Sequence, residues 1–414
     1  MRLLLLVYLA ALLPAADLFV RNGTLIDVTG SKKPYRTSLW IAGNRQRAED
    51  PGLSVPKDAV VVEGEGKYLM PGFWDAHFHL IREEADPQPV LDKLLAHGIT
   101  TVRDMGSIPE RIVALRDAIA AGKTQGPRLI VAGAMIDGPP SQAGPTMHIV
   151  ASAQEAAAEV ARLAALKVDF VKVQQNLSAE CYRAILAKAK EKGLAVMGHT
   201  PDALTVKQAV DAGQRSIEHL TGLLVASSRR EAELRESIAK GVPAVDFGPL
   251  GNAGRLAIDS YSQEKASRLF RQSNAPYMVP TLVWEKAYLL APSSRRRPET
   301  AAMMKEYFTI GMALARAMHG AGVRLVAGTD GGDPFTAPGL GLHQELELFV
   351  EAGLTPIEAL QAVTIHAAGM MSRPLPETDF VMLAANPLED IRNTRKVEAV
   401  IVNGKIVAGV KSVR

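Results

Sequence analysis

Eight short apolar runs recur along the middle of the chain, and most are separated by stretches of helical period. The runs are Phe73–Leu80, Ile99–Met105, Leu129–Ala134, Phe170–Gln174, Ala195–Thr200, Ser216–Leu220, Met278–Val283 and Leu325–Asp330. Helical stretches such as Ala153–Leu166 and Thr205–Ala212 lie between them. Alternating strand and helix patterns over roughly 270 residues predict a (β/α)8 TIM barrel, whose usual size is about 250 residues. In such a barrel the chemistry sits at the C-terminal ends of the strands. The polar residues that close these runs therefore decide what the chain can do.

The two ends of the chain read differently. Leu18–Val28 carries an Asn22-Gly23 turn between β-branched and apolar residues, and Val397–Val407 repeats the plan around Asn403-Gly404. Two β-rich ends around a different middle predict a discontinuous β-sandwich built from both termini. The expected organisation is a leader over residues 1–16, a β-sandwich from 17–70 plus 376–414, and the barrel from 71–375.

Charge excludes some partners. Lys and Arg total 47 against 44 Asp and Glu, a near balance that argues against a general polyanion-binding role. The short run Arg295-Arg296-Arg297 reads as a solvated loop, so nucleic acid is not an expected partner. At the N-terminus Met1-Arg2 precedes the apolar run Leu3–Leu13 and then Pro14-Ala15-Ala16. That pattern fits a secretory signal, and the run is shorter than the ~20 residues a membrane span needs. A secreted or periplasmic location without a stable membrane anchor is expected, with a cytoplasmic one if the run is not a signal. The single cysteine, Cys181, allows neither an intramolecular disulfide nor a cysteine-based zinc site; it reads as a buried, inert thiol.

The strand ends carry metal-ligand chemistry. The first run ends Asp75-Ala76-His77-Phe78-His79, and period-two alternation puts Asp75, His77 and His79 on one face. Lys172 interrupts the apolar Phe170-Val171-Lys172-Val173, and the next runs end at His199 and His219. The last ends at Asp330. Histidines with a carboxylate suit zinc or another first-row divalent ion.

These residues, set in Pro71–His79 with Gly98–Asp104, Gly126-Pro127-Arg128, Ser216–His219 and Asn386-Pro387-Leu388, resemble the amidohydrolase superfamily. The nearest likeness is to its imidazolonepropionase-like and Xaa-Pro or Xaa-Arg dipeptidase-like branch. The resemblance implies two divalent ions, zinc foremost, with manganese or iron as alternatives. His77 and His79 would hold one ion with Asp330, and His199 and His219 the other. A carboxylated Lys172 would bridge them, with a hydroxide between the ions. Asp330 would serve as the catalytic base and then acid. Burial favours the neutral amine that reacts with CO2, which makes that role for Lys172 physically reasonable. The resemblance also predicts a glycine-rich hairpin before the returning strand, where Met371–Asp379 is instead short and proline-rich.

Substrate contacts are sought near the barrel mouth. Arg103, ending the second run, could meet a substrate carboxylate or pair with Asp104 or another nearby acid. His148, in the loop after the third run, could orient a substrate carbonyl or sit on the surface. Tyr277 and Trp284 read as packing, as do His343 and His366; His97 and His319 precede glycines at helix ends. The expected function is hydrolysis of a C–N bond in a dipeptide or N-acyl amino acid, a small-molecule substrate. A mononuclear cyclic-amidine hydrolase or deaminase is the second reading, with Lys172 as the discriminating residue. A non-catalytic metal-binding protein on the same fold is the third. A homo-oligomer is left open.

Overall fold

The computed structural model describes residues 17–409 except 44, 84, 242–251, 272–275 and 292–297. The leader and the Arg295-Arg296-Arg297 run lie outside the described residues. Among the described residues, no helix is long and apolar enough to cross a membrane.

The middle of the chain closes into the expected barrel. The first three strands, Phe73–Phe78, Ile99–Asp104 and Arg128–Val131, pair in parallel. Met135–Asp137, Phe170–Val173, Ala195–Gly198, Ser216–Glu218 and Tyr277–Val279 form a second parallel run. The third barrel strand thus comes in two pieces, broken where Gly133 takes a φ of +75°. Arg128–Val131 pairs with the second strand, and Met135–Asp137 with the fourth. Asp169 bridges the break, its N–H donating to Val131 O at 2.8 Å and its carboxylate accepting from Val131 N at 2.9 Å.

The eighth run, Leu325–Asp330, is extended chain rather than a regular strand, yet it closes the barrel. Val326 N donates to Met278 O at 2.8 Å on one side, and Ala76 N to Ala327 O at 3.0 Å on the other. The seventh strand is shorter than its apolar run predicts. Thr281 takes a left-handed φ of 51°, and the chain turns directly into the helix Leu282–Leu290. Trp74, Ala76, Met105, Ile130, Phe170, Met197, Val279 and Val326, drawn from the first five strands or their ends, the seventh strand and the extended eighth run, pack as one apolar cluster.

Helices wrap the barrel as the periodicity predicts. Ala153–Ala165 is capped by the Ser152 side chain, and Val206–Asp211 by a Thr205/Gln208 capping box, which satisfy first-turn N–H groups that have no helical acceptor. Both termini meet in one mixed sheet. Leu18–Leu25 pairs with Tyr35–Ala42 on one edge and with Val60–Glu63 and Tyr68–Pro71 in succession on the other. Phe380–Leu383 then pairs antiparallel with Tyr68–Pro71, and Val397–Val402 follows it. The short Met371–Asp379 linker therefore does reach a returning strand. Gly72 N donates to Asp379 O, and the Asp379 carboxylate accepts from Asn403 N.

Candidate metal centre

Six of the eight residues singled out from the sequence line one cleft of about 900 Å3 at the C-terminal end of the barrel: His77, His79, Lys172, His199, His219 and Asp330. His199 and His219 each stand one residue beyond their strands. His219 and Asp330 adopt left-handed φ values of 56° and 49°. Such a backbone is unfavourable for residues with a Cβ and is concentrated at functional sites. At His219 it breaks the strand's alternation just after Glu218.

Each imidazole is fixed through Nδ1. His77 Nδ1 lies 3.0 Å from Glu218 Oε2, and His79 Nδ1 lies 2.7 Å from Gly106 O. His199 Nδ1 is 3.1 Å from Gln175 Oε1, and His219 Nδ1 is 2.7 Å from Thr281 Oγ1. A carboxylate and a carbonyl only accept, so His77 and His79 carry their protons on Nδ1 and direct bare Nε2 lone pairs inward. Both Nε2 atoms lie 3.3 Å from Asp330 Oδ1. His77 Nε2 is buried without a hydrogen-bond partner. Acceptors facing an acceptor at this range are relieved by a second proton on the ring or by a cation between them. A divalent ion would serve, so the donor set fits a metal. The ligand-type atoms of His77, His219 and Asp330 lie within 4.8 Å of one another.

Burial shapes the titration of the site. It drives His77 and His199 well below the ordinary imidazole range, and His219 down to about 3, so the rings are held neutral, the form in which an imidazole can bind a metal. It pulls the Lys172 ammonium down to about 8, against the opposing charges of Glu218 and Asp330. Burial also raises Asp330, but the imidazoles of His79 and His219 and the guanidinium of Arg82 hold it below its usual value.

The two remaining residues are placed elsewhere. Arg103 is fully buried and outside the cleft. Its Nη2 donates to Glu218 Oε2 at 2.6 Å, Nη1 to Ser216 Oγ at 3.2 Å, and Nε to Ala76 O. The expectation that it reads a substrate carboxylate is corrected; its partner is an acid of the sixth strand. His148 is exposed and does not line the cleft, and its Nδ1 lies 3.7 Å from Glu159 Oε2. Its neighbours Thr146 and Met147 line the cleft in its place. Alternation is also too simple for the first strand, whose register slips between Asp75 and Phe78. His77 and His79 meet at Asp330, whereas Asp75 is taken up by Thr329 N at 3.0 Å and Thr329 Oγ1 at 2.7 Å.

Glu218 is the residue that the sequence reading left without a role. It joins His77 to Arg103, while Ser216 Oγ donates to its other oxygen. The signal was present: a glutamate in a barrel strand needs a counter-charge, and Arg103 stands in another strand of the same barrel. Asp104 has a related task. It accepts from Gly106 N and Leu80 N, fixing the turn whose carbonyl orients His79.

A closed barrel that gathers imidazoles, a carboxylate and a buried lysine at its strand ends defines the metal-site barrel proteins as a class. Within that class the chain belongs to the amidohydrolase family, whose model matches residues 68–407. Ochratoxinase from Aspergillus niger is 26% identical over 235 residues, 54% of this chain and 40% of that protein, so the match spans less than half of that relative. A candidate prolidase from Bifidobacterium longum has a similar structure with a TM-score of 0.75 and 25% identity, over 97% of both chains. A Xaa-Pro dipeptidase with bound methionine in its active site shares the fold at a TM-score of 0.71 and 22% identity, over 95% of this chain and 100% of that one.

Proposed function

We propose that the protein is a metal-dependent amidohydrolase that cleaves an amide or peptide-like C–N bond in dipeptides or N-acyl amino acids. The observation that carries this reading is the pair of Nε2 atoms of His77 and His79, each 3.3 Å from Asp330 Oδ1. Similarity to a candidate prolidase and to ochratoxinase supports the substrate class.

Two divalent ions, zinc foremost, would be held by His77, His79 and Asp330 and by His199 and His219, with Lys172 between the two sets. Neutral Lys172 Nζ would add to the carbon of CO2 and lose one proton, leaving an anionic carbamate with an oxygen for each side. A lysine pulled down to about 8 reaches that neutral form near physiological pH. When bound, divalent ions would acidify water and polarise the scissile carbonyl. Asp330 would accept a proton from the attacking water and deliver it to the leaving nitrogen as the C–N bond breaks.

One observation favours a second reading. The tight donor group contains only His77, His219 and Asp330, which suits a single ion in a cyclic-amidine hydrolase or deaminase. Lys172 separates the two. Lys172→Ala should abolish hydrolysis of N-acyl amino acids and dipeptides in protein loaded with zinc, with partial rescue by short carboxylic acids. Unchanged turnover would remove Lys172 from the site and leave the single-ion reading.

A further inference from the structure

The cleft that holds the candidate centre contains a cation for which the proposed chemistry has no use. Arg82 lies three residues beyond His79, lines the cleft and is exposed. No hydrogen bond or ion pair engages its side chain among the described residues. The cleft's own acids are already committed. Asp137 accepts from Asn176 N at 2.8 Å, Asn176 Nδ2 at 3.0 Å and Ser141 Oγ. Asp333 accepts from Trp284 Nε1, Phe335 N at 2.9 Å and Thr336 N at 3.2 Å. Asp330 faces the histidines. Arg82 therefore presents to the cleft a guanidinium that no direct partner holds among the described residues, though its field reaches Asp330, while Arg103, the arginine that the sequence suggested for this task, is locked in the barrel interior.

Three residues of chain place Arg82 within about 11 Å of His79, Cα to Cα, and both side chains line the same cleft. In a dipeptide or N-acyl amino acid, the scissile carbonyl and the free carboxylate are separated only by the leaving nitrogen and its α-carbon. A group that reads the carboxylate must therefore stand close to the ligands, as Arg82 does. A guanidinium fork matches a carboxylate in a planar, bidentate geometry. Another part of the wall is aromatic: Trp284 lines the cleft, stacks on Tyr288 at 5.2 Å and 4°, and meets Phe335 edge-on at 6.2 Å. This rigid surface suits a large apolar or ring side chain.

We propose that Arg82 binds the free carboxylate of the leaving amino acid while the Trp284 wall receives its side chain, so that the cleft selects substrates releasing a carboxylate-bearing, bulky apolar amino acid. This inference rests on the amidohydrolase reading for its biological meaning, but its test does not depend on turnover. Binding of L-phenylalanine, L-phenylalaninamide and L-alanine to the full chain loaded with zinc is measured by calorimetry, for wild type, Arg82→Gln and Trp284→Ala. Wild type should prefer phenylalanine over its amide by about 10- to 100-fold, the worth of hydrogen bonds to a charged group. Arg82→Gln should bring that ratio towards one, with Arg82→Lys between, and Trp284→Ala should erase the preference for phenylalanine over alanine. An acid-to-amide ratio unchanged in Arg82→Gln, or wild type that binds none of the three, would overturn the proposal. Hydrolysis of alanyl-phenylalanine is then measured separately. Loss of binding in Arg82→Gln without any wild-type hydrolysis would support the carboxylate site while contradicting the amidohydrolase reading.

Discussion

His77 is held at Nδ1 by Glu218, while its Nε2 faces the Asp330 carboxylate without a hydrogen bond, and Glu218 is itself balanced by Arg103. Removing the charge of Glu218 leaves the Arg103 guanidinium buried and uncompensated. Glu218→Gln should therefore cost about 3–5 kcal/mol in urea unfolding and weaken zinc retention about 10- to 100-fold in chelator competition. A variant as stable as wild type would mean that Arg103 finds another acceptor. Asp330→Asn keeps an oxygen ligand but no basic carboxylate. It should bind metal and turn over about 100- to 10,000-fold more slowly, checked by metal analysis and rates on the same preparation. Six of the eight chosen residues were legible because each ends or interrupts an apolar run, where a polar side chain has little other reason to be. Arg103 and His148 misled because a strand pattern gives neither depth along the barrel axis nor the direction of a loop. Arg103 falls within the barrel's interior, and His148 turns to solvent.

At the scale of elements, all eight runs contribute to the barrel wall, but three departures escaped the pattern: the seventh run gives way to the helix Leu282–Leu290 after Val279, and two more concern the third and eighth. The third strand breaks at Gly133 and the eighth is extended chain, because both are fixed by partners far away in sequence rather than by local propensity. Gly198 shows how tightly one strand end is built. Its φ is +135°, and a Cβ there would stand 2.2 Å from Val173 O. Gly198→Ala should destabilise the fold by more than about 1 kcal/mol, seen as a lower Tm, and should displace the adjacent His199. The cap on Ala153–Ala165 is a milder case: Ser152→Ala should cost about 1 kcal/mol without affecting metal content, since that helix lies outside the cleft.

For the whole molecule, the discontinuous plan was readable from the β-rich ends, and Asn403-Gly404 does turn between two strands, but the expected turn at Asn22-Gly23 is instead a bulge inside the single strand Leu18–Leu25. The sequence did not show how the ends join. Tyr68–Pro71 connects them, pairing with Leu18–Leu25 on one side and Phe380–Leu383 on the other. Metal bound only by the folded barrel stabilises the entire chain, by about 4 kcal/mol at a thousandfold excess over Kd. Chelation should therefore lower Tm and zinc should restore it. The most direct measurement is the metal content of protein purified without chelator, by elemental analysis or anomalous scattering. The account predicts about two divalent ions per chain, held at His77, His79, Lys172, His199, His219 and Asp330. Protein that carries none, and takes up none when zinc is supplied, would contradict it.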